Sequence, residues 1–433
     1  MNVTDVPYFS KLLEIEKKRR LKIFLVGGTV RDIILKREIK DLDIVVFGED
    51  YEVFAYKFAE EIKGTPIKFK DNVRVVKDGF VVDISKTRGG SLQEDLQKRD
   101  FTINNLAMNL QGEMFGDKSD LSKRIIRAIS ENNIAEDPLR VLRAFRFASE
   151  LGFEISDDTF NIIKKHKDKL LSVAFERIYA EIKKTVLGEF FIDVFEVMWA
   201  EGIWDILIPE LNTLKGRDKG IYHSHDPYEH TFCAAKNTYK YAKEYGFFEE
   251  DLFVIFIAAI LHDIGKGAPE YANSGGKYIG HEIKGAGISQ NILRRLCFSS
   301  KEISLIKKVI ELHTIVRVYA TSNARKRTLL KFIFDYREIL DFLFVISLGD
   351  NYCKPSALSK VQDMISKIKE LKSKIDFDKS EIITGKDLIE YGFTPSENFG
   401  KILRDIRFRL AIGEIKDKSE AVKYITSNYK GAV

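Results

Sequence analysis

The hydrophobic pattern of this chain changes period once, and that change limits the fold more than any other feature. From Lys22 to Met114 the apolar residues come in short β-rich runs, KIFLV, LDIVVF, VRVV, FVVDI and LAMNL, separated by glycines and charged turns. Beyond Ile125 they recur with a period near 3.6 along DPLRVLRAFRFASEL, DLFVIFIAAILHDIGK and ISLIKKVIELH, with few glycine or proline breaks. The pattern predicts an α+β fold: an N-terminal head with a small mixed β-sheet, then an almost wholly helical remainder.

At 433 residues the chain exceeds one ordinary core, and its length favours about three domains. Breaks are expected near residue 130, over LIPELNTLKGRDKGIYHSHDP and in the lysine-rich stretch around 360 to 380. They delimit a head over 1–128, a helical neck over 129–205, a helical body over 206–358 and a helical tail over 359–433. Apolar residues at 45% and charged residues at 31% suit a folded, soluble protein. The start, MNVTDVP, has no basic region leading into an apolar stretch, and the apolar run Leu252 to Leu261 is too short to cross a bilayer, which takes about 20 residues. Cys233, Cys297 and Cys353 lie far apart with no CxxC pair, so no disulfide framework or zinc knuckle is readable and a reducing cytoplasm is the expected home. A net charge of +5 tolerates a polyanionic partner without demanding one.

Chemistry first appears after the strand Lys22 to Val26. Gly27-Gly28 reads as a tight turn and Thr29 to Lys36 as a helix, a junction whose free N–H groups can receive a triphosphate, with Arg31 adding a charge. Two glycines alone are a weak signal and better suit a plain strand–helix turn that needs positive φ. Asp41 and Asp43 open the next strand, and residues two apart on a strand share a face roughly 6 to 7 Å apart. Like charges about 4 Å apart repel by roughly 4 kcal/mol at an effective dielectric near 20, so a partly buried pair beside Ile44-Val45-Val46-Phe47 wants a cation. Mg²⁺ suits hard oxygen ligands and a phosphate substrate. Asp83 in FVVDI is either a third carboxylate of such a site or a cap after a strand. With two metals bound, one activates a primer 3′-hydroxyl and the other holds the triphosphate.

Three segments, LVGGTVRDIILKREIKDLDIVV, EDLQKRDFTINNLAMN and AEDPLRVLRAFRFA, together resemble the class II tRNA nucleotidyltransferase and bacterial poly(A) polymerase family. The resemblance covers the first 180 residues and implies template-independent addition of nucleotides to a tRNA 3′ end, with CTP and ATP as substrates. It implies Gly28 and Arg31 as phosphate contacts, Asp41 and Asp43 as metal ligands, and Arg99, Asp100 and Asn104 as the segment that senses the ribose. Lys98-Arg99 stands where the family usually has two arginines. Glu136-Asp137-Pro138-Leu139-Arg140 resembles the base-reading motif, and Arg143 matches a further nucleotide-contacting arginine. Asp137 is expected to cap a helix with Pro138 at its first position, so that Asp137 and Arg140 lie one turn apart. A carboxylate acceptor beside a guanidinium donor accepts the Watson–Crick edges of C and A and leaves those of U and G unpaired. Glu176-Arg177 resembles a last, structural neck motif.

Six of the seven histidines fall between residues 223 and 313. His230, His262-Asp263, His281, His313 and Asp350 follow the order of the HD phosphohydrolase superfamily, with Ile-Gly-Lys after His262-Asp263. The resemblance makes residues 206–358 an HD-like domain in which His230, His262, Asp263 and Asp350 could hold a second divalent metal that generates hydroxide. Some family members hydrolyse phosphoesters there and others keep only the helices. His166, His223 and His225 carry no assignment. The segment ITGKDLIEYGFTPSENFGKILRDI resembles the C-terminal part of bacterial CCA-adding enzymes, which implies a tail that holds the tRNA body. ISKTRGGSLQ between Asp83 and Glu94 is shorter than in members that add all of CCA, so CC-only or A-only addition stays open. A poly(A) polymerase ranks below these, since IKFKDNVRVVKDGFVVDI replaces the expected stretch. An HD phosphohydrolase with an RNA-binding head ranks last.

Overall fold

Every one of the five β-rich runs forms a strand, and two further strands complete the sheet. They are Lys22–Val26 (β1), Asp41–Phe47 (β2), Thr65–Lys68 (β3), Asn72–Lys77 (β4), Phe80–Ser85 (β5), Ala107–Asn109 (β6) and Met114–Phe115 (β7). The structure, a computed structural model, describes residues 3–48, 50–218, 226–272, 274–352, 355–390 and 399–429. The chain divides into two compact units, one ending at Pro209 and one starting at Glu210.

In the first unit the strand order is β3-β4-β5-β2-β1-β6-β7. The pairing of β2 with β5 is parallel and the pairings of β1 with β2, β1 with β6, β3 with β4, β4 with β5 and β6 with β7 are antiparallel, so the sheet is mixed. β2 is buried at Leu42, Ile44, Val45 and Val46, as a central strand covered on both faces should be. The helix Tyr51–Ile62 supports one face with Phe54, Ala55, Phe58 and Ala59. Asp50 caps it by accepting from the N–H groups of Glu52 and Val53 at 2.9 and 3.3 Å, where two helical donors would otherwise lack partners.

After the sheet the period switches as expected. The helix Arg140–Leu151 buries Val141, Leu142, Ala144, Phe145, Phe147 and Ala148 and ends at Gly152 in the left-handed region. Helices Phe175–Val186 and Phe191–Ala200 pack against it. The second unit is helical throughout its described residues. At its centre Glu249–Leu261 is buried without a break from Leu252 to Leu261, which fits an apolar run with no polar face. Pro227–Glu244 lies along Leu340–Asn351. A side chain at Gly349 would come within 2.0 Å of Thr238 Oγ1 and 2.6 Å of the Thr238 nitrogen, so the lack of a Cβ lets the two helices touch one residue before Asp350. The last helices, Phe399–Ala411 and Lys418–Asn428, bury Ile402, Ile406, Leu410, Ala421 and Ile425 among themselves. Among the described residues no helix is long and apolar enough to cross a membrane. Cys233 is disulfide-bonded, against the expectation of none; Cys353 lies outside the described residues, as do His223, His225 and residues 391–398 of the tail segment.

Candidate active site and metal centre

In the head, the acidic residues are gathered by sheet register. Asp41 and Asp43 sit two apart on β2, and the parallel pairing sets Asp43 opposite Asp83 on β5, so the three side chains leave the same face of the sheet. Asp41 is exposed, Asp43 half-buried and the Asp83 side chain 14% exposed. Thr29, buried in the first turn of the helix Gly28–Ile34, accepts the Asp43 backbone N–H at 2.8 Å and thereby ties the glycine turn to the strand. Burial, reinforced by the charge of Asp41, pushes the Asp43 carboxyl up to about 6. A crowded set of hard oxygen donors with one member held uneasily ionised fits a divalent cation such as Mg²⁺. Asp83 is engaged by Arg74 on β4, whose Nε and Nη2 donate to it at 3.0 and 2.9 Å, and by Asn72 Nδ2 at 2.9 Å.

Gly27 has φ of 61°, and a Cβ there would lie 2.7 Å from Arg99 Nη1. Both the backbone and the guanidinium laid over the turn therefore require glycine. Arg99 is held from the other side by Asp95, a buried carboxylate that accepts from its Nε and Nη2 at 3.1 and 2.8 Å and from the Arg88 N–H at 2.9 Å. Asp100 accepts from Asn104 Nδ2, the Phe101 N–H and both Nε and Nη2 of Arg143. Burial opposes its charge, but Arg143 and these donors hold its carboxyl well below the usual carboxylate range. Asn104 in turn accepts from Arg31 Nη1 at 3.0 Å.

A cavity of about 740 Å³ opens over this floor. Its lining includes Gly27, Gly28, Asp43 and Asp83 of the head together with Arg99, Asp100 and Asn104, and Asp137, Arg140, Arg143 and Arg177 from the helical region that follows. Arg31 and Asp41 are not on its wall: Arg31 is buried beneath Asn104 and beside Asp32, to which its Nε donates at 2.9 Å.

The pair expected to read the base departs from its expected geometry in one respect. Asp137 does not cap the helix that carries Arg140 through its side chain. It terminates the preceding helix, Glu131–Glu136, and the next helix starts at Arg140. Its backbone carbonyl accepts the Arg140 N–H at 3.0 Å, while its carboxylate takes Arg177 Nη2 at 3.2 and 2.9 Å. Arg140 is fixed by carbonyls, with Nη1 donating to Asn133 at 3.0 Å and Nη2 to Lys98 at 3.1 Å.

The second unit gathers the remaining expected residues. His230 Nε2 lies 2.9 Å from Asp350 Oδ1, His262 Nε2 is 3.3 Å from Asp263 Oδ2, and His281 and His313 present Nε2 to Asp263 Oδ1 at 3.1 and 3.7 Å. All are buried. His262, His281 and His313 each place Nδ1 2.7 Å from a backbone carbonyl, those of Ala259, Tyr278 and Ile310. A carbonyl only accepts, so Nδ1 of each ring carries a proton and Nε2 is the ring atom left to face inward. His262 Nε2, His281 Nε2 and Asp263 Oδ1 are buried without a satisfactory hydrogen bond. Burial opposes the charge of Asp263, but His262 and Lys266 keep its carboxyl well below the usual range. His230, His262 and Asp350 form one group able to hold a metal, and His262, Asp263 and His313 another. Inward-facing imidazole Nε2 atoms beside the Asp263 and Asp350 carboxyl groups fit a divalent transition metal.

Residues 23–89 and 70–127 match the poly A polymerase head domain, 152–215 a probable RNA-binding site of polymerase A, and 228–352 the HD domain. A multifunctional CCA protein from Actinobacillus pleuropneumoniae serotype 5b is 31% identical over 336 residues, which cover 72% of this chain and 79% of that protein. The chain belongs to the class II tRNA nucleotidyltransferase and poly(A) polymerase family. An A-adding tRNA nucleotidyltransferase from Deinococcus radiodurans is 25% identical over 421 residues, 93% of this chain and 94% of that one. The fold is also that of the Thermotoga maritima CCA-adding enzyme solved with tRNA, at a TM-score of 0.65 and 21% identity over 97% of this chain and 94% of that one.

Several residues of this nucleotidyltransferase escaped the sequence reading. Thr29 sits inside the glycine motif and Asp95 four residues before Arg99, a helical ion-pair spacing that could have revealed it. Arg177 was read as structural, yet it lines the cavity and pairs with Asp137. Arg74 has no sequence signal, because its partner is set by strand register.

Proposed function

We propose that this nucleotidyltransferase adds the 3′-terminal CCA to tRNA, taking C and A from CTP and ATP without a nucleic-acid template. The observation that carries the reading is that one cavity is lined at once by the carboxylates Asp43 and Asp83, by Arg99, Asp100 and Asn104, and by Asp137, Arg140 and Arg143. That span suits a nucleotide whose triphosphate lies by the carboxylates and whose base reaches the helical wall. Asp41, Asp43 and Asp83 would hold Mg²⁺, which when bound supplies the charge neutralisation that phosphoryl transfer needs. Gly28 shapes the triphosphate end, and Arg99, Asp100 and Asn104, the last held from beneath by Arg31, the ribose end. Asp137, Arg140 and Arg143 choose the base. On this reading the working parts are a catalytic head over 1–128, a base-reading neck over 129–205, an HD-like body over 206–358 and a tRNA-holding tail over 359–433, in a cytoplasmic enzyme.

Incubation of the protein with tRNA lacking its 3′ end and each labelled nucleotide in turn tests this. C and then A should be incorporated, and U and G excluded. Incorporation of only C or only A would restrict the enzyme to one part of the reaction, as the short ISKTRGGSLQ segment allows. No incorporation of either would sink the proposal.

A second activity is favoured by the orphaned His262 and His281 nitrogens. A divalent metal held by His230, His262, Asp263 and Asp350 would convert bound water to hydroxide near neutral pH, which suits hydrolysis of a phosphoester. Metal-dependent phosphate release from a small phosphomonoester should vanish in His262→Ala while nucleotide incorporation persists. Release that survives the substitution would argue against this centre.

A further inference from the structure

Asp83 carries more donors than a free metal ligand would. A carboxylate has about four lone-pair positions, and three of those on Asp83 are taken: Oδ1 accepts from Asn72 Nδ2 and Arg74 Nε, and Oδ2 from Arg74 Nη2. Asn72 alone would fix the orientation of the carboxylate. What Arg74 adds is a full positive charge, placed by the β4 and β5 register directly across from Asp83, itself opposite Asp43. The guanidinium groups of Arg99 and Arg143 also act on Asp43, and they are committed to Asp95 and Asp100.

We propose that Arg74 is the resident counter-charge of this acidic cluster, pairing with Asp83 in the metal-free head and yielding when a divalent cation binds, so that it sets the metal concentration the head requires. The inference rests on the reading of Asp41, Asp43 and Asp83 as metal ligands. The geometry makes the exchange inexpensive. The Arg74 side chain is 42% exposed, against 14% for Asp83, so release returns a solvated cation to water. Its guanidinium carbon already lies 5.5 Å from the centre of the Phe69 ring, where it can stay stacked once the pair opens. Its charge is also felt by Asp41 and Asp43, since both favour its protonated form. A guanidinium and a divalent cation competing for one carboxylate repel each other, and this opposes metal binding.

The sign of the effect separates this role from a purely orienting one. Mn²⁺ binding to the full-length chain would be followed by electron paramagnetic resonance, with Asp41→Asn/Asp43→Asn as the blank so that ions held in the second unit cancel. Arg74→Gln and Arg74→Ala should each bind the cluster's Mn²⁺ about tenfold more tightly, and Arg74→Lys should restore the wild-type affinity. The magnesium needed for half-maximal nucleotide incorporation should fall in the same variants. Unchanged affinity would overturn the proposal, as would a loss of roughly 10 to 100-fold, which is the signature of an orienting partner. Identical Mn²⁺ binding by the wild type and the blank would instead remove the metal reading of the cluster itself.

Discussion

Asp43→Asn should lower nucleotide incorporation by at least about 10³-fold and at the same time make the metal-free protein more stable above neutral pH. Both effects come from one strained ionisation. Burial and the neighbouring Asp41 raise the Asp43 carboxyl to about 6 in the folded chain, whereas an unfolded aspartate titrates near about 4. Between those values the folded state binds the proton that the unfolded state has released, so stability falls as pH rises through the window and stays reduced above it. Asparagine keeps the shape and removes the charge, which should recover up to about 3 kcal/mol above neutral pH and little in acid. Urea unfolding in the presence of a chelator, on either side of the window, checks the stability, and incorporation into tRNA checks the activity. A variant that is less stable than the wild type at alkaline pH, or that keeps a tenth of the activity, would contradict the account.

Asp137→Ala should instead change which nucleotide is chosen. The preference for CTP over UTP is expected to fall by about 10² to 10⁴-fold, more than the rate with CTP itself, because a carboxylate acceptor is lost while Arg140 stays fastened to the carbonyls of Asn133 and Lys98. Arg177→Ala should relax the choice less, since it frees the Asp137 carboxylate without removing it. Competition between labelled nucleotides on one tRNA measures both ratios. An unaltered CTP to UTP ratio in Asp137→Ala would move base reading away from this pair.

Local pattern made much of the head readable. The runs KIFLV, LDIVVF, VRVV, FVVDI and LAMNL announced strands because β-branched residues crowd there, and β3 went unseen because Thr65–Lys68 contains a proline and no apolar alternation. The convergence of Asp41 and Asp43 follows from strand periodicity alone. Asp83 was ambiguous, because whether it faces Asp43 depends on the register of two strands more than thirty residues apart. The same limit hid Arg74. The Asp137 cap failed for a different reason: Pro138 and Leu139 make a separate turn before the helix begins, which leaves the carboxylate available to Arg177 forty residues on. In the second unit the histidines could be counted along the chain, but the carbonyls that orient their rings could not.

The place of β2 within the sheet has a consequence for motion. It is fourth of seven strands, flanked by β1 and β5, so its amides should be among the last to exchange with solvent and its spacing of carboxylates should survive the breathing that frays a sheet margin. β4 lies nearer the rim, next to the edge strand β3. Any adaptation to an incoming nucleotide is therefore expected at the periphery, while the strand that carries Asp41 and Asp43 stays still.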